Sequence, residues 1–108
     1  ITMVETPEAV ENAGDIASVE GIDGVLVGSS DLTQAMGMPD GSKVDEAIQH
    51  VIKSVRDKGK IVGVAGAGMT VTNMPRYKQF AAQGVQLLSA NVQEFIRQSA
   101  GDFLKELS

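Results

Sequence analysis

The chain contains no cysteine, so disulfides and thiolate metal sites are both excluded, and a reducing, cytoplasmic setting is the expected location. It is short of basic residues: nine Lys and Arg stand against fourteen Asp and Glu, a net charge of −5. Nucleic-acid binders carry a basic face, so that class is set aside. No apolar run approaches the ~20 residues of a membrane-spanning helix. The start lacks the basic, apolar and small-residue order of a secretory signal. It also lacks an initiator Met, and Ile1-Thr2-Met3-Val4 is already apolar and β-prone. A fragment or product of a longer chain is therefore expected. No linker or low-complexity segment interrupts the 108 residues, which predicts one domain over 1–108.

What is present is enough apolar material for a core, 43% of residues against 21% charged. Four strand-like runs recur: Ile1–Val4, Gly24–Gly28, Ile61–Ala65 and Val85–Leu88. They are continuously apolar rather than alternating, the habit of strands buried on both faces in parallel sheets. A helical stretch follows each one. After the first, Thr6 can cap, Pro7 suits the first helical position and Glu8 favours the positive helix end. Val44–Lys58 places Val44, Ile48, Val51, Ile52 and Val55 on one side, and Gly59 ends it. A short extra helix is expected around Leu32–Met36, a helix over Pro75–Gln83 closing at Gly84, and a last one over Val92–Leu107. The order βαβαβαβα predicts parallel strands joined by right-handed crossovers. Four βα units are half of a (β/α)8 barrel, or else an open doubly wound sheet; pattern alone does not separate the two.

Both architectures bind ligands at the C-terminal ends of their strands. The first strand ends at Glu5, and the second runs into Gly28-Ser29-Ser30-Asp31, a small-residue turn closing on a carboxylate. Two acids at the ends of consecutive strands can converge on one point. One or two carboxylates, completed by water and substrate, suit Mg²⁺, with Mn²⁺ or Co²⁺ fitting similarly. The plainer reading makes Glu5 a helix-start charge and Asp31 an N-cap for the short helix.

Met3–Asn12 and Val19–Leu32 resemble two signature stretches of the HpcH/HpaI aldolase/citrate lyase family, within the phosphoenolpyruvate/pyruvate barrel superfamily. The likeness extends to about Gly66 and rests on element order beyond it. It implies the C-terminal half of a TIM barrel. Glu5 and Asp31 match the family's metal-binding Glu and Asp, with the same separation of 26 positions. Gly28, Ser29 and Ser30 match its glycine-containing loop. By that resemblance, the amides of Ser30 and Asp31 hold the carboxylate of pyruvate. Many members have Pro where this chain has Ser29, a departure expected to loosen the loop. The implied activity is divalent-metal-dependent aldol cleavage or formation through a metal-stabilised pyruvate enolate, with an aldehyde as the other partner. The family's activating Arg and base-supplying His have no matching position here, so no catalytic residue is expected in this stretch.

His50, the lone histidine, falls within a helix and is read as structural or solvated. Gly63-Val64-Ala65-Gly66-Ala67-Gly68 is Gly-x-x-Gly-x-Gly, not the Gly-x-Gly-x-x-Gly that opens a dinucleotide-binding helix. It is read instead as letting the backbone approach substrate or a neighbouring strand, and Met69 and Met74 as packing or loop residues. The competing function is a non-catalytic half-barrel or assembly module with a vestigial metal site. A four-strand half-barrel has two open edges, predicting a homo-oligomer or pairing with a missing N-terminal half. The resemblance adds that Val92–Leu107 packs on a neighbouring subunit.

Overall fold

Each expected strand is followed by a helix in the computed structural model, which describes residues 1–66 and 73–108. The order is β1 (Thr2–Val4), α1 (Pro7–Glu11), α2 (Ala13–Ser18), β2 (Gly24–Gly28), α3 (Ser29–Ala35), α4 (Gly41–Asp57), β3 (Ile61–Ala65), α5 (Met74–Ala82), β4 (Leu87–Leu88) and α6 (Val92–Leu107). All pairings are parallel and the sheet runs β1-β2-β3-β4, in chain order. A doubly wound sheet reverses its strand order part-way. The described strands show no such reversal, and their order is that of consecutive barrel strands.

Register separates the two faces of the sheet. Val4, Val27, Val64 and Leu88 lie in one row, and Thr2, Val25 and Val62 in another on the same side. The five valines are buried against Val10, Ala13, Ala17, Val44, Ile48, Val51 and Val55 of the helices, forming one core. The intervening row is Met3, Leu26, Gly63 and Leu87. It faces the other way, and Met3 remains 50% and Leu87 38% exposed. A Cβ on Gly63 would sit 2.7 Å from Leu26 Cδ1 and 3.0 Å from Leu87 Cβ, so glycine lets its neighbours meet across β3. At Gly63 the expected close backbone approach is therefore to the flanking strands. In a closed barrel the residues on this face point into the packed interior.

The local chemistry follows the sequence with four differences. Thr6 caps α1, its Oγ1 accepting from the Ala9 N–H at 3.2 Å, with Pro7 in the first turn. The helical stretch then breaks at Asn12, which joins α1 to α2. The short helix begins at Ser29, not Leu32, because Ser29, Ser30 and Asp31 supply a favourable first turn and fully buried Leu32 anchors it. The helix expected over Val44–Lys58 starts a turn earlier, at Gly41. The fourth strand is only Leu87–Leu88: the Val85 N–H is used by the Phe80 carbonyl behind α5, and its side chain joins the core. Lys60 Nζ donates to the Ile22 carbonyl at 2.7 Å, and Arg56 donates to Gln86 Oε1 at 2.7 Å, tying strand starts together at the end opposite the candidate site.

Helix α6 buries nothing. Val92, Ile96, Phe103, Leu104 and Leu107 are each more than 60% exposed, and the chain measures 55 × 27 × 21 Å. Among the described residues, no helix is long and apolar enough to cross a membrane.

Candidate functional site

Beyond the last ladder pairs, the C-terminal ends of β1, β2 and β3 form a rim. Val4 pairs with Val27, so Glu5 follows in register with Gly28, and Gly28 pairs with Ala65. Glu5 thus belongs to the face that carries Met3 and Leu26, away from the helices. Its side chain leans over β2: a Cβ on Gly28 would lie 2.8 Å from Glu5 Oε1 and 2.9 Å from Glu5 Cγ. Gly28 is glycine where a larger residue would push the carboxylate away. Glu5 is half-buried.

The chain then turns directly into α3. Ser29, Ser30 and Asp31 fill the first turn after Gly28, with Asp31 at the positive end of the helix. Asp31 is therefore not an N-cap; Gly28 occupies that position. The turn is held from within by Thr33 Oγ1, which donates to the Ser29 carbonyl at 2.7 Å. Beyond β3, Gly66 comes against the same turn, where its Cβ would meet Ser29 Oγ. The structure thus brings Glu5 to Gly28, and Ser29 and Ser30 to Gly66, along one rim. Asp31 is exposed, two residues further along the same turn.

Chemically, the rim offers two carboxylates, two hydroxyls and closely approaching backbone. Among the described residues, no group of three or more His, Cys, Asp and Glu side chains could hold a metal by itself. A two-carboxylate set of hard oxygen donors suits a cation that keeps several waters or substrate oxygens, as Mg²⁺ does, and not a closed structural zinc site. His50 is exposed on α4, distant in sequence and element from the rim. A groove of about 420 Å³ lies between α4 and the end of α5 and is lined by Gln49, Ile52, Lys53, Arg56, Asp57 and Gln83. It shares no residue with the rim. Ala67, Gly68 and Met69 lie outside the described residues; Met74 opens α5 and is 43% exposed.

Comparison with known proteins decides the family, because the model of the HpcH/HpaI aldolase/citrate lyase family matches residues 1–96. The chain belongs to this family. It is 36% identical over 110 residues to the hydroxypyruvate/pyruvate aldolase of Pseudomonas aeruginosa, covering 95% of this chain and 40% of that protein. It is 34% identical over 95 residues to a 4-hydroxy-2-oxo-heptane-1,7-dioate aldolase of Salmonella paratyphi C, covering 85% of this chain and 34% of the relative. A crystal structure of an HpcH/HpaI aldolase/citrate lyase family protein from Burkholderia cenocepacia superposes with a TM-score of 0.84 at 22% identity. It covers 97% of this chain and 40% of that one. The fold is thus four βα units of a (β/α)8 barrel, and the chain spans about 40% or less of the length of these relatives.

Gly66 is the rim residue that sequence reasoning passed over. Its signal is the glycine-rich run after β3, which points to backbone approach to substrate or a neighbouring strand, whereas Gly66 meets the first turn of α3.

Proposed function

We propose that this chain supplies the metal- and keto-acid-binding half of a divalent-metal-dependent pyruvate aldolase. The single observation that carries the reading is the placement of Glu5 over Gly28 at the C-terminal end of β1, beside the turn that ends in Asp31. Family membership and aldolase relatives support the reaction class.

In this reading Glu5 and Asp31 hold Mg²⁺, or Mn²⁺ or Co²⁺ in its place, through carboxylate oxygens. A cation bound there would supply Lewis-acid stabilisation of the negative charge that develops when pyruvate loses a methyl proton. The turn Gly28-Ser29-Ser30-Asp31 receives the substrate carboxylate through the amides of Ser30 and Asp31, at the positive end of α3. Gly28 keeps the space between the two carboxylate-bearing elements clear. The second substrate is an aldehyde, released or added at the methyl carbon of pyruvate. No general acid or base is assigned among these residues, and the proton-handling groups come from the complementary part of the barrel.

That complementary part also answers the open sheet. Thr2–Val4 and Leu87–Leu88 are the edges, and Met3, Ile61 and Leu87 leave an apolar inner face partly in water. We propose that the chain completes its barrel by pairing with an N-terminal half or by self-association, and that it functions in the cytoplasm. The test is metal-dependent release of pyruvate from a 4-hydroxy-2-keto acid by the whole protein. Activity lost on chelation, restored by Mg²⁺ and abolished by Glu5→Gln supports the proposal; turnover that survives Glu5→Gln overturns it.

A further inference from the structure

The tightest approach on the rim is one for which the proposed chemistry has no use. A Cβ built on Gly66 would stand 1.9 Å from Ser29 Oγ, 3.3 Å from Ser29 Cβ and 3.4 Å from Ser30 Oγ. No side chain tolerates a contact of 1.9 Å, so the Ser29 hydroxyl occupies the space that any residue but glycine would fill at 66. The two residues belong to different βα units: Ser29 opens α3 directly after β2, and Gly66 directly follows β3. Their strands are already in register at Gly28 and Ala65, so the contact is the next step beyond the ladder.

We propose that Ser29 and Gly66 act as one positioning pair, in which the hydroxyl seats against the Gly66 backbone and fixes the first turn of α3 against the end of β3. Three separate contacts then hold that turn. Ser29 Oγ rests on Gly66, the Ser29 carbonyl accepts from Thr33 Oγ1 at 2.7 Å, and fully buried Leu32 anchors the next residue position in the core. Ser30 and Asp31 lie between the seat and the anchor, so their backbone direction is set by both. A methyl group at 66 would turn the Ser29 hydroxyl out of its seat and press on Ser29 Cβ at 3.3 Å, releasing the turn that carries them from that support. Rigid support of this kind is how residues outside a site govern its affinity, at a typical ~10–100-fold for metal binding. The pair stands on geometry alone; its effect on binding rests on the reading of the rim as a metal and keto-acid site.

The test is a double-mutant cycle in the whole protein, using Ser29→Gly, Gly66→Ala and both together. It is read by the amide NMR shifts of Ser30 and Asp31 and by Mn²⁺ and pyruvate affinity from calorimetry well below the melting temperature. Gly66→Ala is expected to move both amide signals and weaken binding ~10-fold or more. With Ser29 reduced to glycine there is no hydroxyl to displace, so the double variant should bind no worse than Ser29→Gly alone. That non-additivity is the signature of a coupled pair. Losses that simply multiply, or a Gly66→Ala variant with unmoved amides, overturn the pair. If the unaltered protein binds neither Mn²⁺ nor pyruvate, the functional reading of the rim fails, and the amide shifts still decide whether Ser29 and Gly66 are coupled.

Discussion

Two glycine-to-alanine changes on the same strand are expected to have opposite consequences. At Gly28 the new methyl would lie 2.8 Å from Glu5 Oε1 and 2.9 Å from Glu5 Cγ. Ordinary contact begins near 3.4 Å, so Glu5 must retreat by about 0.6 Å. Its side chain has three torsions and is only half-buried, so the carboxylate moves and the sheet does not. An off-rotamer side chain costs ~0.5–1.5 kcal/mol, offset by the ~0.4–1 kcal/mol that Gly→Ala gains through the unfolded chain. Stability should therefore barely change. Metal affinity should fall ~10–100-fold, the usual effect of disturbing the support of a metal ligand. At Gly24 the methyl would meet Ile61 O at 2.8 Å and Ile61 Cβ at 2.9 Å. Backbone in a paired strand cannot swing away, so overpacking should cost ~1–3 kcal/mol of stability. The binding rim, at the other end of β2, should be untouched. Urea melts and Mn²⁺ calorimetry on both variants are the assay. If Gly28→Ala lowers stability as much as Gly24→Ala while metal affinity holds, the placement of Glu5 over Gly28 is not what sets the site.

Other changes follow the same logic. Ile48→Ala empties a fully buried position on α4 and should cost ~2–5 kcal/mol in a urea melt; a loss below ~1 kcal/mol would deny Ile48 its place in the core. Leu104→Ala, on the 63% exposed face of α6, should shift the melt of the dilute chain by less than ~0.5 kcal/mol, and a large loss would mean that α6 packs against this chain's own core. The 108-residue chain by itself should show little turnover, since each missing acid–base group costs ~10²–10⁴-fold; robust retro-aldol cleavage by it would mean that another residue of this chain serves as base. At micromolar concentration it should sediment as more than one chain, because both sheet edges and the Met3–Leu87 face are open; a single species of 11.3 kDa with a cooperative melt contradicts that.

Most of the architecture was legible because its signals are periodic. The valine-rich runs gave β2 and β3 to the residue, and the i, i+4, i+7, i+8, i+11 spacing on α4 named all five residues that it buries. The misplacements lie where one residue's hydrogen bonds chose between two elements. Val85 reads as strand by type, yet its N–H closes the end of α5. Ser29 and Ser30 read as loop, yet Leu32 draws them into a helix. The barrel topology was not fixed by pattern, since an open sheet shares the same βα rhythm; the strand order decided it. For the site, strand-end position and family likeness pointed to Glu5 and Gly28 and to the turn up to Asp31. The contact between Ser29 and Gly66 was invisible, because nothing in a sequence reports which side chain fills the space above a glycine.

The claim that Glu5 and Asp31 serve one divalent cation is tested most directly by titrating the whole protein with Mn²⁺ and following its paramagnetic resonance with and without pyruvate. One site per chain is expected, tightened by pyruvate and lost in both Glu5→Gln and Asp31→Asn while their melts stay unchanged. An absent site, or one that persists in both variants, contradicts it.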